Sequence, residues 1–251
     1  MTQRLSVEDA TERAKPRLDI DRRVAAALFV LLTVGRPIDT AEMLGRALDA
    51  PALRTWLLFG DSALKTLVWV AFAVFIYKRK PSRRPARSPV AFIACAAAIL
   101  PAILLAAPGA DADIWAVVVG EGLVIAAVAF TLASVLALGT CFGVLPEVRG
   151  LVTRGPYRFV RHPVYVGEIV AFAGFVVASQ RLVNVIPLIV FCAAQMVRLR
   201  LEEAALLAEF PDEYGAFAKR TPRLVPRPSA LFGTERKAQP ARGSEAVAPV
   251  A

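Results

Sequence analysis

The residues best suited to chemistry lie together in the sequence GPYRFVRHPVYVGE at positions 155–168, where a charged segment runs directly into an apolar one. Pro163 fits the first position of a helix, because its missing N–H would have no partner there, and His162 is then predicted to cap the helix. The positive end of the helix dipole, with its free N–H groups, faces a loop that carries Arg158 and Arg161. A region of this kind favours a bound carboxylate.

Two more residues of this stretch, Tyr165 and Gly167, fall within the first turn or so of the predicted helix. A tyrosine ring can stack on a planar ligand, and a glycine allows either a ligand or a neighbouring helix to come close. Basic and aromatic side chains also act as simple anchors where a helix enters a membrane. These residue types alone therefore leave both interpretations open.

Other kinds of site are disfavoured by what the sequence contains. A zinc site built from several imidazoles is excluded, because His162 is the only histidine in the chain. Cys95, Cys141 and Cys192 form no C-x-x-C pair, which indicates neither a disulfide framework nor a cysteine metal site. The formal net charge is +9, but Lys and Arg cluster beside apolar runs, as in loops on the cytosolic side of a membrane. We therefore expect no metal and no nucleic-acid partner.

The elements that position these residues are predicted to be membrane helices. Of the 251 residues, 57% are hydrophobic, and the mean hydropathy is +0.54, values that a water-soluble domain of this length does not normally combine. The apolar residues form blocks near the length that crosses a bilayer. Six spans are predicted, at 24–38, 56–77, 89–107, 114–139, 164–179 and 182–197. The fold class is therefore all-α, a polytopic membrane helix bundle that ends in a helical hairpin and a cytosolic amphipathic helix.

Charge and composition divide the chain into four regions. They are a cytosolic tail at 1–23, a four-helix membrane region at 24–139, the motif-bearing region at 140–227 and a disordered tail at 228–251. The loops 78–88 and 140–163 are basic, whereas the loop 108–113 has acids and no base. The positive-inside bias then places both termini and the candidate site in the cytosol. Within the second span, Asp61 and Lys65 are four positions apart and are expected to form an ion pair.

A second segment follows the stretch at 155–168 after a short apolar hairpin, and it reads RLRLEEAALLAEFPDEYGAFAKRTPRLVP at 198–226. In this order and spacing, residues 147–227 resemble the C-terminal half of the isoprenylcysteine carboxyl methyltransferases and of their phospholipid-methyltransferase relatives. The shared elements are Gly-x-Tyr, Arg-His-Pro-x-Tyr-x-Gly, an Arg followed by a Glu pair, Phe-x-x-Glu-Tyr and a final Pro. The resemblance implies an integral membrane enzyme that transfers a methyl group from S-adenosylmethionine to a lipophilic acceptor.

The resemblance also implies which residues bind the cofactor and the acceptor. The S-adenosylmethionine pocket would be lined by Arg149, Gly150, Leu151, Val152, Tyr157, His162, Pro163, Val164, Tyr165 and Glu202. Arg149 would contribute by its backbone, since family members often have His or Gln at this position. Arg198 matches the substrate-side arginine of the family. Arg198 and Glu202, four positions apart on one helix, are the predicted catalytic residues.

Methyl transfer to a carboxylate suits these residues, because the nucleophile displaces the methyl group in line and needs positioning rather than a base. An amine acceptor would need a base such as Glu202 or Glu203. We expect membrane lipids as surroundings and a lipophilic or lipidated carboxylate, like that of an isoprenylcysteine, as acceptor; a phospholipid amine and a small isoprenoid acid stay open. Two other interpretations also stay open. They are a sterol-type membrane reductase that binds NADPH through the same Arg-His-Pro-x-Tyr-x-Gly element, and a membrane scaffold of the same fold without activity.

Overall fold

The computed structural model of the protein describes residues 33–83, 88–106 and 112–227, together with Ala27, Val30 and Leu31. Within this part of the chain the regular structure is helical and includes no β-strand, so the all-α prediction is confirmed there. The predicted tails 1–23 and 228–251 lie outside the described residues.

Seven α-helices are named here in chain order for the described residues. They are α1 Arg36–Asp49, α2 Leu53–Lys78, α3 Pro89–Ile99, α4 Ile114–Leu138, α5 Pro163–Ser179, α6 Val185–Glu209 and α7 Pro211–Arg220. A 3-10 helix at Leu100–Leu104 extends α3, and a second one at Gly155–Arg158 precedes α5. Each of α3, α5 and α7 begins with a proline, in agreement with the preference of proline for the first helical turn.

Within the part of the chain that the structure describes, three helical stretches are long and apolar enough to cross a membrane, namely Leu53–Lys78, Ile114–Cys141 and Leu182–Glu209. The other two apolar helices, α3 and α5, have 11 and 17 residues. At about 1.5 Å per residue, α3 rises much less than the roughly 30 Å of a hydrocarbon core. The predicted count of six spans is therefore not confirmed. Of the predicted span 24–38, residues 24–26, 28, 29 and 32 lie outside the described residues, and the last three residues begin α1.

The last predicted span and the amphipathic helix after it form one continuous helix, α6. Its first part is apolar, and charged residues begin at Arg198. A helix of this length rises about 38 Å, which exceeds the hydrocarbon core and allows its charged end to leave the membrane. Phe210 ends α6, and Pro211 begins α7, as predicted from the proline.

Helix α5 packs along α4 in an antiparallel arrangement, with glycines at both ends of the contact. A Cβ atom at Gly120 of α4 would lie 2.4 Å from the backbone nitrogen of Ala178 in α5. At the other end, a Cβ atom at Gly167 of α5 would lie 2.1 Å from Oγ1 of Thr131 in α4. Of the two uses considered for Gly167, the structure therefore shows the close approach of a neighbouring helix.

Helix α6 packs mainly on α3, whereas it meets α5 along a narrow line. Phe172 of α5 stacks on Phe191 of α6 at a ring-centroid distance of 4.7 Å. This pair forms a buried cluster with Ala194 of α6 and Ala98 of α3. A short turn thus joins the two arms of the predicted hairpin, α5 and α6. However, α5 packs mainly on α4 and α6 packs mainly on α3.

The two basic loops come together at the end of the bundle where α5 begins. The backbone nitrogen of Lys80 donates to the carbonyl of Thr140 at 2.9 Å, and that of Arg83 donates to the carbonyl of Val148 at 2.8 Å. The turn between α5 and α6 lies at the opposite end, where the Asn184 side chain binds the backbone of Ala106. The orientation of these two ends relative to a membrane stays a prediction.

The α4–α5 contact predicts different effects of the same substitution at two glycines of α4. Gly120→Ala would force a methyl group against the α5 backbone, and overpacking of this kind costs about 1 to 3 kcal/mol. Gly122→Ala is the matched control, because a Cβ atom there meets nothing within 4 Å. We expect the first variant alone to lower the unfolding temperature of the purified protein in detergent. Equal unfolding temperatures would contradict the packing described here.

Candidate functional site

The candidate site is a cleft at the end of the bundle where α5 begins. It lies between the 138–152 segment, the 3-10 helix that ends at Arg158, the charged end of α6 and helix α7. Six of the ten predicted cofactor residues line it. They are Arg149, Gly150, Leu151, Val152, Tyr157 and Glu202.

The other four predicted cofactor residues form the start of α5 and are not among the residues that line the cleft. Pro163 is the first residue of α5 and His162 is its N-cap residue, as predicted, although the His162 side chain makes no capping hydrogen bond. Val164 packs against a buried cluster that includes Val135 and Phe142. Tyr165 points toward α6, and its hydroxyl reaches the cleft residue Glu202.

Adjacent glutamates on α6 have separate roles. The Tyr165 hydroxyl donates to the Glu202 carboxylate at 2.8 Å, and the Glu202 side chain is 33% exposed. The Glu203 side chain is only 10% exposed and belongs to an ionic cluster that includes the lining residue Arg161. Successive residues of an α-helix point about 100° apart, so the two carboxylates have different surroundings, although both lie near the His162 ring, Glu202 4.0 Å from Nδ1 and Glu203 3.2 Å from Nε2.

The Glu203 cluster joins three parts of the chain. The carboxylate lies 3.1 Å from Arg161 Nη2, 3.2 Å from His162 Nε2 and 2.8 Å from Arg223 Nη2. Beside it, the backbone nitrogen of Arg161 donates to the carbonyl of Pro222, and that of His162 donates to the carbonyl of Arg223. Glu203 therefore fastens the segment after α7 to the loop before α5. With both oxygens engaged by the chain itself, this carboxylate is not placed to act as a base.

The lining of the cleft combines both signs of charge with aromatic and apolar groups. Arg149 donates from Nη2 to the Glu147 carboxylate at 2.5 Å. Burial raises the pKa of the Tyr157 hydroxyl well above its ordinary value, and the negative charge of Glu202 adds to this effect. Burial likewise raises the pKa of the Tyr214 hydroxyl. Both tyrosines therefore remain neutral and can donate hydrogen bonds at physiological pH.

Several lining residues were not singled out as site residues by the sequence. Among them are Cys141 and Glu147, which precede the Gly-x-Tyr element, and Tyr214 and Phe217, which belong to α7. The spacing of the two aromatic residues marks the buried face of α7, where both are almost fully buried. Cys141 packs against Gly150 so closely that a Cβ atom on the glycine would lie 2.9 Å from its sulfur. No local pattern could have indicated that contact.

Arg198 contacts Tyr165 and is not among the residues that line the cleft. Its Cζ atom is 5.1 Å from the centroid of the Tyr165 ring. Its Nη1 donates to the Gln195 amide oxygen at 2.6 Å, and its Nη2 donates to the carbonyl of Val144 at 2.9 Å. Tyr165 therefore touches both predicted catalytic residues, Glu202 by its hydroxyl and Arg198 by its ring.

These contacts belong to one line of side chains, which we name the α5–α6 seam. The seam begins at a pair of phenylalanines, continues through polar side chains and ends at the Glu203 cluster. Apart from the adjacent Glu202 and Glu203, its members on each helix are three or four positions apart, which keeps them on one face. Its members are Phe172 with Phe191, Glu168 with Gln195, Tyr165 with Arg198 and Glu202, and His162 with Glu203. Glu168 and Gln195 were not singled out as site residues by the sequence, because each is a single polar residue within an apolar run.

The division between the two glutamates predicts different effects of the same substitution. Glu203→Gln leaves Arg161 and Arg223 facing an uncharged amide, and breaking a largely buried ion pair costs about 3 to 5 kcal/mol. Glu202→Gln, the matched control, retains an oxygen that can accept from Tyr165. We expect a clearly lower unfolding temperature for Glu203→Gln alone. If Glu202→Gln unfolds equally early, the structural assignment of Glu203 is wrong.

Comparison with known proteins agrees with this part of the structure. Residues 115–213 match the phospholipid methyltransferase family. The matched range begins at the start of α4 and ends early in α7, so it contains the α4–α5 contact, the whole α5–α6 seam and most of the cleft.

Two curated proteins are similar to a shorter stretch. An 84-residue stretch, 33% of this chain, is 34% identical to 38% of the cobalt-zinc-cadmium resistance protein CzcN of Cupriavidus metallidurans. An 86-residue stretch, 34% of this chain, is 36% identical to 39% of the nickel-cobalt-cadmium resistance protein NccN of Alcaligenes xylosoxydans xylosoxydans. The chain thus spans less than half the length of these relatives. Over residues 115–213 it matches the phospholipid methyltransferase family, which confirms the resemblance to the membrane methyltransferases that the sequence indicates.

Proposed function

We propose that this protein transfers a methyl group from S-adenosylmethionine to a lipophilic acceptor whose reacting group is a carboxylate. The family match supports a membrane methyltransferase in general. The observation that carries the finer proposal is the position of Tyr165, whose hydroxyl contacts Glu202 in the cleft and whose ring contacts Arg198 on the seam. A site for a polar cofactor and a site for an acceptor head group are then neighbours that share one side chain.

The residues of the cleft fit S-adenosylmethionine by their chemistry. Glu202 can accept hydrogen bonds from the ribose hydroxyls, and the backbone N–H of Arg149 can donate to the carboxylate of the methionine part. Leu151, Val152 and the Tyr157 ring offer apolar and aromatic surface to the adenine. When bound, the cofactor supplies a methyl group on a positively charged sulfur, which leaves as a neutral thioether. The chain has to hold the acceptor in line with that group and to keep water away.

Arg198 is the residue that can hold an acceptor carboxylate. A guanidinium has five N–H donors, of which the chain uses one for Gln195 and one for Val144. Among the donors that remain, Nε is buried and has no hydrogen-bond partner in the described part of the chain. These contacts turn the side chain into the protein, which argues against a simple anchor in the lipid headgroups.

The arrangement suits a carboxylate because no base is needed. A carboxylate is already the nucleophile at physiological pH, and Arg198 can orient it while keeping its own charge. Fixing the two reactants next to each other in a site that excludes water removes much of the entropic cost of bringing them together.

A phospholipid amine is the second candidate acceptor, because the matched family is that of the phospholipid methyltransferases. An amine must lose a proton to react, and Glu202 is the partly exposed carboxylate next to Tyr165 that could take it. Parallel assays with N-acetyl-S-farnesylcysteine and with phosphatidylethanolamine, each with a radiolabelled methyl donor, separate the two. Product from the amine alone would replace the carboxylate proposal.

The first functional prediction concerns the cofactor. We expect the purified protein to retain radiolabelled S-adenosylmethionine and not NADPH, and Glu202→Gln to weaken that binding about tenfold, because hydrogen bonds to a charged group contribute about 1.5 to 3 kcal/mol. Glu213→Gln, on the exposed side of α7, is the control and should bind normally. Retention of NADPH instead would favour the reductase, and retention of neither would favour a scaffold.

The second functional prediction concerns the acceptor. Arg198→Leu should leave the affinity for S-adenosylmethionine unchanged and lower turnover of the carboxylate acceptor about tenfold or more, at about 1.4 kcal/mol per factor of ten. Arg198→Lys should not restore turnover, because a point charge cannot replace a planar fork held by Gln195 and Val144. Full activity of the lysine variant would show that Arg198 supplies only a positive charge near the headgroups.

A further inference from the structure

A buried glutamine lies between two charged side chains on the α5–α6 seam. Its amide oxygen accepts a hydrogen bond from Arg198 Nη1 at 2.6 Å, and its amide nitrogen donates to the Glu168 carboxylate. Gln195 has no exposed surface. Because a guanidinium only donates hydrogen bonds and a carboxylate only accepts them, the amide can satisfy both neighbours in a single orientation.

These bonds hold Arg198 in place from the apolar side of the seam, while the Val144 carbonyl holds it from the loop side. The guanidinium is thereby kept against the Tyr165 ring. Glu168 also supplies a negative charge on the far side of Gln195, which balances the Arg198 charge next to an apolar region where a lone charge is strongly disfavoured. The network thus fixes both the orientation and the charge balance of Arg198.

We infer that Gln195, oriented by Glu168, is a positioning residue that directs the unused donors of Arg198 toward the acceptor and so selects an anionic acceptor. The inference rests on the proposed function and adds two residues to the acceptor site. Gln195 acts through Arg198 and does not itself contact the reacting atoms. Glu168 acts one step further away, because it sets which end of the amide faces Arg198.

A purely structural role is the competing explanation, because the same bonds join α5 to α6. The two explanations differ once Arg198 has been replaced. If Gln195 acts through Arg198, replacing it has no further effect on methyl transfer in an Arg198→Leu background. If it only holds the helices together, the two losses multiply, because the effects of independent sites add in free energy.

The experiment uses the full-length protein in phospholipid nanodiscs, with S-adenosylmethionine as donor and N-acetyl-S-farnesylcysteine as acceptor. Gln195→Met keeps the length of the side chain but can bond neither neighbour, and Gln180→Met, on the exposed turn at the other end of the bundle, is the matched control. We expect Gln195→Met to lower kcat about tenfold with unchanged cofactor affinity. Added to Arg198→Leu, it should change kcat less than about twofold.

Two variants of Glu168 provide a second measurement. Glu168→Gln still offers an oxygen to the Gln195 amide nitrogen, whereas Glu168→Leu removes the acceptor. We expect Glu168→Gln to keep the higher turnover of the two. Equal turnover in both variants would overturn the orienting role of Glu168, and the unfolding temperatures of all variants show whether a loss merely follows from instability.

The possible failures are distinguishable. Full turnover of Gln195→Met, or a double variant whose loss equals the product of the two single losses, overturns this inference and leaves the proposed function intact. An Arg198→Leu variant with full turnover contradicts the proposed function itself. If the wild-type protein does not methylate N-acetyl-S-farnesylcysteine, the carboxylate proposal fails and the inference fails with it.

Discussion

The close approach of α4 and α5 determines where the site can form. At Gly120 and Gly167 the two helices leave no room for a Cβ atom, so their axes are set by backbone and Thr131 contacts rather than by large side chains. Because α5 cannot shift along or away from α4, its first turn has a fixed position relative to α6. The histidine, tyrosine and glutamate that α5 presents to α6 then face fixed partners, and the order of groups along the α5–α6 seam follows from that geometry.

The ionic cluster at Glu203 closes the arrangement at the charged end. It fastens Arg161, His162 and Arg223 to one carboxylate, and thereby holds the loop before α5 and the segment after α7 against α6. Its neighbour Glu202 stays available to the cleft because a rotation of about 100° separates the two side chains. One residue of the pair therefore holds separate chain segments together, and the other faces the cleft. A Glu pair in a sequence cannot by itself reveal this division.

Local rules account for what the sequence predicted well. Pro163 and His162 occupy the predicted first and capping positions of α5, and Pro211 begins a new helix. Asp61 and Lys65 form the expected ion pair at 2.6 Å. Each of these features depends only on residues within a few positions in the chain. The partners of α5 and α6 were not predictable in the same way, because the glycines that join α4 and α5 are far apart in the chain. Recognition of the motif covered six lining residues of the cleft, but Glu168 and Gln195 have no local pattern that marks them.

Tyr165 gives the arrangement its functional consequence. Its hydroxyl donates to Glu202 and its ring lies beside Arg198, so one side chain sets the separation between the cleft residue Glu202 and Arg198. In the proposed methyl transfer, the rate depends on the alignment of the two reactants. A displacement of about 1 Å can lower the rate roughly a hundredfold. A tyrosine has only two side-chain torsions and is held here at both its hydroxyl and its ring. Methyl transfer to a carboxylate needs precise positioning and no base. The fixed distance between the carboxylate of Glu202 and the guanidinium of Arg198 therefore suits the proposed reaction.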